Sequence, residues 1–218
     1  MGTYAAVVLA GGAARRMGGV DKPALPVGGR SMRDRVLAAV DDAAPRVLVG
    51  PAGAVPPGVR VTREDPPGGG PVAAAAAGLA LLDPATDLVA LLAADLPLLS
   101  RAAIGELLTH LAPPCHTGPA VPASGSSRVG PERLSDGACF VDADGRRQSL
   151  CGVWRVDALR AGLDRLAAER GGSLAGAPVR ALLAGLVVRE VPWSGDGPPP
   201  WFDCDTDEDV RRAEEWAR

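Results

Sequence analysis

The sequence predicts an α/β fold, an open sheet with crossover helices, on three observations. Short apolar runs alternate along the chain with longer helical patterns. These runs are brief and bounded by Gly, Pro or Asp, as buried parallel strands are, with short buried helices the competing reading of periodicity alone. The resulting order over the first half, β-α-β-β-α-β-α, is the order that crossover connections build. The bulk figures agree: 47% of the 218 residues are hydrophobic and 22% charged, enough for a substantial core. Aromatics are only 3%, so that core must be made of Ala, Val and Leu.

The strand candidates of the first half are YAAVVLA (4–10), RVLVG (46–50), VRVT (59–62) and LVALLAA (88–94). Between them, Ser31 precedes MRDRVLAAV with Asp34 three residues on, a capping-box pattern. PVAAAAAGLALL (71–82) begins with Pro at a first helical position and is rich in the strongest helix former. Ser100 caps RAAIGELLTHL (101–111). Residues 113–147 read differently, as a loop-rich excursion from the sheet with a flexible part near Ser124–Arg133. Two further strand candidates, ACFVD (138–142) and QSLCGVW (148–154), lie at and beyond its end. Helical pattern returns in VDALRAGLDRLAAER and APVRALLAGL, and Thr206 caps a terminal helix. No internal repeat is present, and the length fits one domain spanning 1–218.

Composition narrows the function classes. Net charge is −3 and the pI is near 5.4, which argues against a general nucleic-acid binder. A local basic site can still exist in an acidic whole, with Arg15, Arg16 and Lys22 as its first candidates. Cys115, Cys139, Cys151 and Cys204 form no C-x-x-C pair and read as reduced thiols. The N-terminus runs straight into a strand-like segment without a charged leader, so a cytoplasmic protein with no membrane partner is expected.

Four segments carry candidate chemistry. In VVLAGGAARRMGGVDKPALPVGGR (7–30) a strand ends in glycines, which places main-chain N–H groups at the carboxyl edge of a sheet. Glycines let the backbone approach phosphates, and Arg15, Arg16 and Lys22 add positive charge. The segment matches neither G-x-x-x-x-G-K-[ST] nor G-x-G-x-x-G, and by itself it reads equally as an ordinary turn. Asp95 in LVALLAADLPLLS sits where a parallel strand should end, on the same edge. Beside a phosphate-binding loop it suits Mg²⁺, which takes one or two carboxylates; alone it is a common turn residue.

EDPPGGGP (64–71) is an acidic, glycine-rich turn before a helix. Its Gly68, Gly69 and Gly70 would let a base or ribose approach the backbone, with Asp65 accepting hydrogen bonds; a plain loop is the competing reading. In FDCDTDEDV, Asp203 and Asp205 alternate and so point the same way if extended, able to add a second carboxylate to a metal; acids at a helix start also serve its dipole. Other constellations fail. His110 and His116 lack zinc spacing, and Ser127 has no nucleophile-elbow glycine. Trp154 reads as core, whereas Trp193 and Trp201 flank a Pro-rich loop and could pack or face substrate.

LAGGAARRMGGVDKPALPVGG resembles the N-terminal signature of nucleotidyltransferases with the pattern L-A-G-G-x-x-x-R-M-G-x-x-K, and within them the molybdenum cofactor guanylyltransferases. The resemblance continues in DPPGGGPVAAAAAGL, AADLPLLS, QSLCGVW and DCDTDEDV, in the family's order over nearly the whole chain. It implies a Rossmann-like three-layer fold with a mostly parallel central sheet and helices on both faces. It implies that Leu9, Ala10, Gly11 and Gly12 hold the nucleotide, Arg16 and Lys22 its phosphates, and Asp65 the guanosine portion. Asp95 would bind Mg²⁺, with Asp205 or Asp203 beside it. Gly50 stands where some relatives place an Asn that touches the nucleotide. Gln148, Ser149 and Trp154 occupy the motif position nearest an acceptor.

The reaction implied is attack by the phosphate of molybdopterin on the α-phosphorus of GTP, with loss of pyrophosphate. A phosphate nucleophile is already ionised, so no histidine base is needed. Related alternatives are CTP in place of GTP, another phosphorylated acceptor such as a sugar 1-phosphate or phospholactate, or a nucleotide-binding module without turnover. GTP and molybdopterin are thus the expected partners of a monomer or weak homo-oligomer.

Overall fold

The structure, a computed structural model, describes residues 4–11, 22–51, 53–111 and 135–217. In chain order the strands are β1 (Ala5–Leu9), β2 (Pro26–Val27), β3 (Arg30–Ser31), β4 (Arg46–Val49), β5 (Val59–Thr62), β6 (Leu88–Ala93), β7 (Gly137–Val141), β8 (Arg147–Arg155) and β9 (Val188–Pro192). The helices are α1 (Met32–Ala39), α2 (Pro71–Leu79), α3 (Arg101–Thr109), α4 (Val156–Glu169), α5 (Val179–Leu182) and α6 (Asp207–Trp216).

Seven strands form one sheet in the order β5-β4-β1-β6-β8-β7-β9. β1 pairs parallel with β4 and β6, β4 with β5, and β7 with β9. Only β8 runs against its neighbours, antiparallel to both β6 and β7. Alternate residues of each strand feed opposite faces. Ala6, Val8, Leu48, Ala90 and Leu92 pack under α1 and α3, against Val36, Leu37, Ile104 and Leu107. Val7, Leu9, Val47, Val49 and Leu91 pack under α2, α4 and α5, against Val72, Leu79, Leu159 and Leu182. Helices therefore cover both faces and the fold is a three-layer, mostly parallel α/β structure, as expected. Among the described residues, no helix is long and apolar enough to cross a membrane.

Four details depart from the sequence reading. The strand β7 belongs to the main sheet, so residues 137–141 of the 113–147 segment are sheet and not excursion; 112–134 lie outside the described residues. The helix expected over 177–186 shortens to α5, because Pro178 starts it and Gly185 at φ +83° turns the chain out of it. Two strand features are additions. The edge strand β9 exposes Arg189 and Glu190, which dilutes its apolar signal. A small β2–β3 hairpin turns on Gly28 and Gly29 at φ 57° and 77°, the glycine pair a two-residue hairpin turn requires.

Candidate functional site

Chain order creates the site. β1 lies between β4, which follows it, and β6, which the chain reaches only after crossing back from β5. Connections leave β1 and β6 in opposite directions, so their carboxyl ends frame a crevice, the position where open α/β sheets bind ligands. Hydrogen bonds hold this edge together: Ala10 N donates to Val49 O at 2.8 Å and Ala94 N to Leu9 O at 3.0 Å. Leu9 and Ala10 bury their side chains in the two cores, so only their backbone can face a ligand.

Lys22 and Asp95 meet in that crevice although 73 residues separate them. Lys22 Nζ donates to Asp95 Oδ2 at 2.7 Å and to Asp205 Oδ1 at 2.7 Å. Burial works against the Lys22 ammonium, but the hydrogen bonds to Asp205 and Asp95 outweigh it and hold the pKa above that of an ordinary lysine. Asp203 is the opposite case. Desolvation by the surrounding protein first, then the charges of Asp205 and Asp95, push its carboxyl above the usual aspartate range.

The supports for these groups explain why they converge. Lys22 opens a short 3-10 turn, Lys22–Ala24, that leads into the β2–β3 hairpin. Val27 and Met32 of that region pack with Cys204 and Ala213 into a separate small core, with Leu25, Phe202 and Val210 against it. The Lys22 and Asp205 segments therefore share one hydrophobic cluster. Asp205 immediately precedes the α6 cap, where Thr206 and Asp209 complete a capping box. Cys204 is buried between exposed Asp203 and Asp205, which gives the alternation expected of them. Arg35, which sequence reasoning does not single out, joins the hairpin to the loop after β6. Its Nε donates to Pro97 O at 2.7 Å and one guanidinium NH to Val27 O at 3.2 Å. A cation four residues after a cap signal is indistinguishable in sequence from a solvated helix charge.

Of the residues expected at the site, Leu9, Ala10, Gly11, Lys22, Asp95 and Asp205 gather at this edge, and Gly12, Arg15 and Arg16 lie outside the described residues. Asp65 is exposed, while its neighbour Glu64 is buried next to Gly11. At Gly50, with φ +133°, a Cβ would lie 2.7 Å from Gly11 N and 2.9 Å from Ala10 C. Only glycine fits there, so the asparagine contact of some relatives has no equivalent on this backbone. Gln148 and Ser149 start β8 at the carboxyl edge, but Trp154 pairs with Val89 near the other end of β6 and is fully buried. It is a core residue and faces no acceptor. Trp193 and Trp201 pack on Phe140 with ring centroids 5.5 and 5.4 Å away. His110 follows α3 on the surface.

The donor set suits a divalent cation. Two carboxylates already converge on one ammonium, and Mg²⁺ is commonly bound by one or two carboxylates with phosphate oxygens and water completing its shell. No group of three or more metal-ligating side chains occurs among the described residues, so a dedicated all-protein cage is not what is built.

A lysine and two aspartates thus converge at the switch point of a three-layer α/β fold. The model of the MobA-like NTP transferase domain matches residues 6–186, and the chain belongs to that family of nucleotidyltransferases. A molybdenum cofactor guanylyltransferase from Bradyrhizobium sp. (strain ORS 278) is 31% identical over 225 residues, spanning 97% of this chain and 92% of that protein. Among solved structures, the molybdopterin-guanine dinucleotide biosynthesis protein A of Archaeoglobus fulgidus superposes with a TM-score of 0.65 at 18% identity, covering 97% of each chain. The 2-C-methyl-D-erythritol 4-phosphate cytidylyltransferase of Thermus thermophilus superposes with a TM-score of 0.64 at 20% identity, covering 99% of this chain and 98% of that one. These two likenesses establish the shared fold.

Proposed function

We propose that the protein transfers GMP from GTP to the phosphate of molybdopterin and releases pyrophosphate. The observation that carries the chemistry is the double hydrogen bond of Lys22 Nζ to Asp95 and Asp205 beside the end of β1. The guanylyl and molybdopterin assignments are supported by the Bradyrhizobium relative and by the order of motifs along the chain.

The bond formed joins an acceptor phosphate oxygen to the α-phosphorus of GTP. The bond broken is that between the α-phosphorus and the oxygen bridging to the β-phosphate, whose electron pair leaves with pyrophosphate. The obstacle is bringing two anions together: two unit charges about 4 Å apart repel by roughly 4 kcal/mol at an effective dielectric near 20. Lys22, with Arg16 from the glycine-rich segment, offsets that repulsion by pairing with the phosphates. Backbone N–H groups from Gly11 and Gly12 add fixed dipoles without Cβ atoms in the way. Asp65, exposed beside the glycine-rich turn, would accept a hydrogen bond from the nucleoside, as the resemblance implies. Asp95 and Asp205 would hold Mg²⁺, which supplies further charge neutralisation on the triphosphate. The acceptor arrives ionised, so catalysis rests on positioning and electrostatics.

Replacing either central group separates this chemistry from folding. Asp95→Ala should abolish Mg²⁺-dependent turnover and Lys22→Ala should lower kcat by at least about a hundredfold, both with an unchanged circular dichroism spectrum. Wild-type turnover in either variant removes that residue from the site. A cytidylyl reading is the second one, because the Thermus cytidylyltransferase shares the fold as fully as the Archaeoglobus protein, with TM-scores of 0.64 and 0.65.

A further inference from the structure

The structure assigns a base-reading role to the buried carboxylate of Glu64, a residue outside the phosphate site. This inference rests on the nucleotidyltransferase reading and names the base that its nucleotide carries. Glu64 is 6% exposed, one of two buried charged side chains among the described residues. Its Oε1 accepts from Gly68 N at 2.9 Å, which folds the glycine-rich turn back over it. Its Oε2 is buried and has no hydrogen-bond partner among the described residues. Arg33, the other buried charge, leaves its Nε without a hydrogen bond, 3.8 Å from Asp34 Oδ1, but another guanidinium nitrogen donates to Ala54 O at 3.5 Å. A desolvated carboxylate oxygen without a donor is costly, and a ligand that supplies the donor would relieve that cost.

Position says which part of the ligand that is. A Cβ at Gly11 would lie 3.5 Å from Glu64 Oε1 and 3.8 Å from Oε2, so the carboxylate flanks the glycine loop itself. Glu64 comes from the β5 side of β1, whereas Asp95 follows β6 on the other side. A nucleotide laid across the end of β1 with its phosphates at Lys22 directs its opposite end, the base, toward Glu64. The ribose lies between them. Gly50 packs against Gly11 without a side chain, which leaves the carboxylate to read the base from this side.

A carboxylate only accepts hydrogen bonds, and it pairs best with two adjacent N–H donors that point the same way. Guanine presents such an edge, in its N1–H and 2-amino group. Adenine and cytosine offer one amino donor beside a ring nitrogen acceptor, and uracil one N–H between two carbonyls. Each of these would bring a lone pair against the unpartnered oxygen. Glu64 thus selects guanine by rewarding its donors and by repelling acceptors.

The test is equilibrium binding of GTP, inosine triphosphate (which lacks the 2-amino group), ATP and CTP to the full-length chain with Mg²⁺, for wild type and Glu64→Gln. Wild type should bind GTP at least about tenfold more tightly than inosine triphosphate, the loss expected for a hydrogen bond to a charged group. The amide retains an acceptor for Gly68 but turns a donor toward the base, so the ratio should fall to about one. A purely structural Glu64 would weaken all four nucleotides together and keep the ratio, which overturns the inference. Should Glu64→Gln fail to fold, the wild-type ratio decides alone: equal binding of GTP and inosine triphosphate overturns it. A wild type that prefers CTP or ATP also overturns it while leaving nucleotidyl transfer standing. Binding of none of the four removes the nucleotidyltransferase reading as well.

Discussion

Asp203 holds a charge that its surroundings resist. Its carboxyl pKa is raised by desolvation and by the neighbouring Asp205 and Asp95, so the folded state favours the protonated form more than the unfolded chain does. For an acid of that kind, stability is greatest below the unfolded pKa of about 3.9 and declines as pH rises through the folded value. At neutral pH the ionised carboxylate is therefore a net cost. Asp203→Asn should raise the thermal midpoint at pH 7, and its advantage over wild type should shrink toward zero near pH 3.5. A variant less stable than wild type at pH 7 would show that Asp203 is instead stabilised by Lys22. The residue scale also shows where sequence is readable. Asp95 stands out because an apolar run stops at a carboxylate followed by Leu96 and Pro97. Glu64 does not, because an acid in a Pro-Gly loop looks solvated until Gly68 is seen folded back on it. Its neighbour Asp65 draws the attention instead, and it is the exposed one of the pair.

Among the elements, α2 carries the tightest fit. A Cβ at Gly78 would collide with Val7 Cγ1 and lie 3.0 Å from Val49 Cγ2, so the helix rests directly on β1 and β4. Two effects of Gly78→Ala oppose each other. Helix propensity would gain about 1 kcal/mol, and overpacking costs about 1–3 kcal/mol. The core is close-packed here, so the second should win and urea unfolding should show a net loss of up to about 2 kcal/mol. A more stable variant would mean that α2 can lift off the sheet. Element existence is legible wherever a cap or a sharp boundary marks it: Ser31, Pro71, Ser100 and Thr206 all stand at observed helix starts. Where the signal is a glycine pair without long flanking runs, as at β2–β3, or an exposed charged edge, as at β9, it is lost.

Taken whole, the molecule converts a linear order of motifs into one crevice by crossing from β5 back to β6. Parallel strands with crossover helices are foreseeable from alternating patterns. The antiparallel insertion of β8 between β6 and β7 is not, because sheet order depends on pairings that no local pattern encodes. The consequence reaches the site: the inserted β8 puts Gln148 and Ser149 at the carboxyl edge and sends Trp154 to the far end. The shared core of the hairpin and α6 then brings Lys22 and Asp205 together, so the first and last motifs of the chain meet. The central claim is that this crevice transfers a guanylyl group. Its most direct test is acceptor-dependent pyrophosphate release by the purified chain with Mg²⁺ and molybdopterin, run in parallel with GTP, CTP, ATP and UTP. The account predicts release with GTP well above the other three; release with CTP alone, or with none, would contradict it.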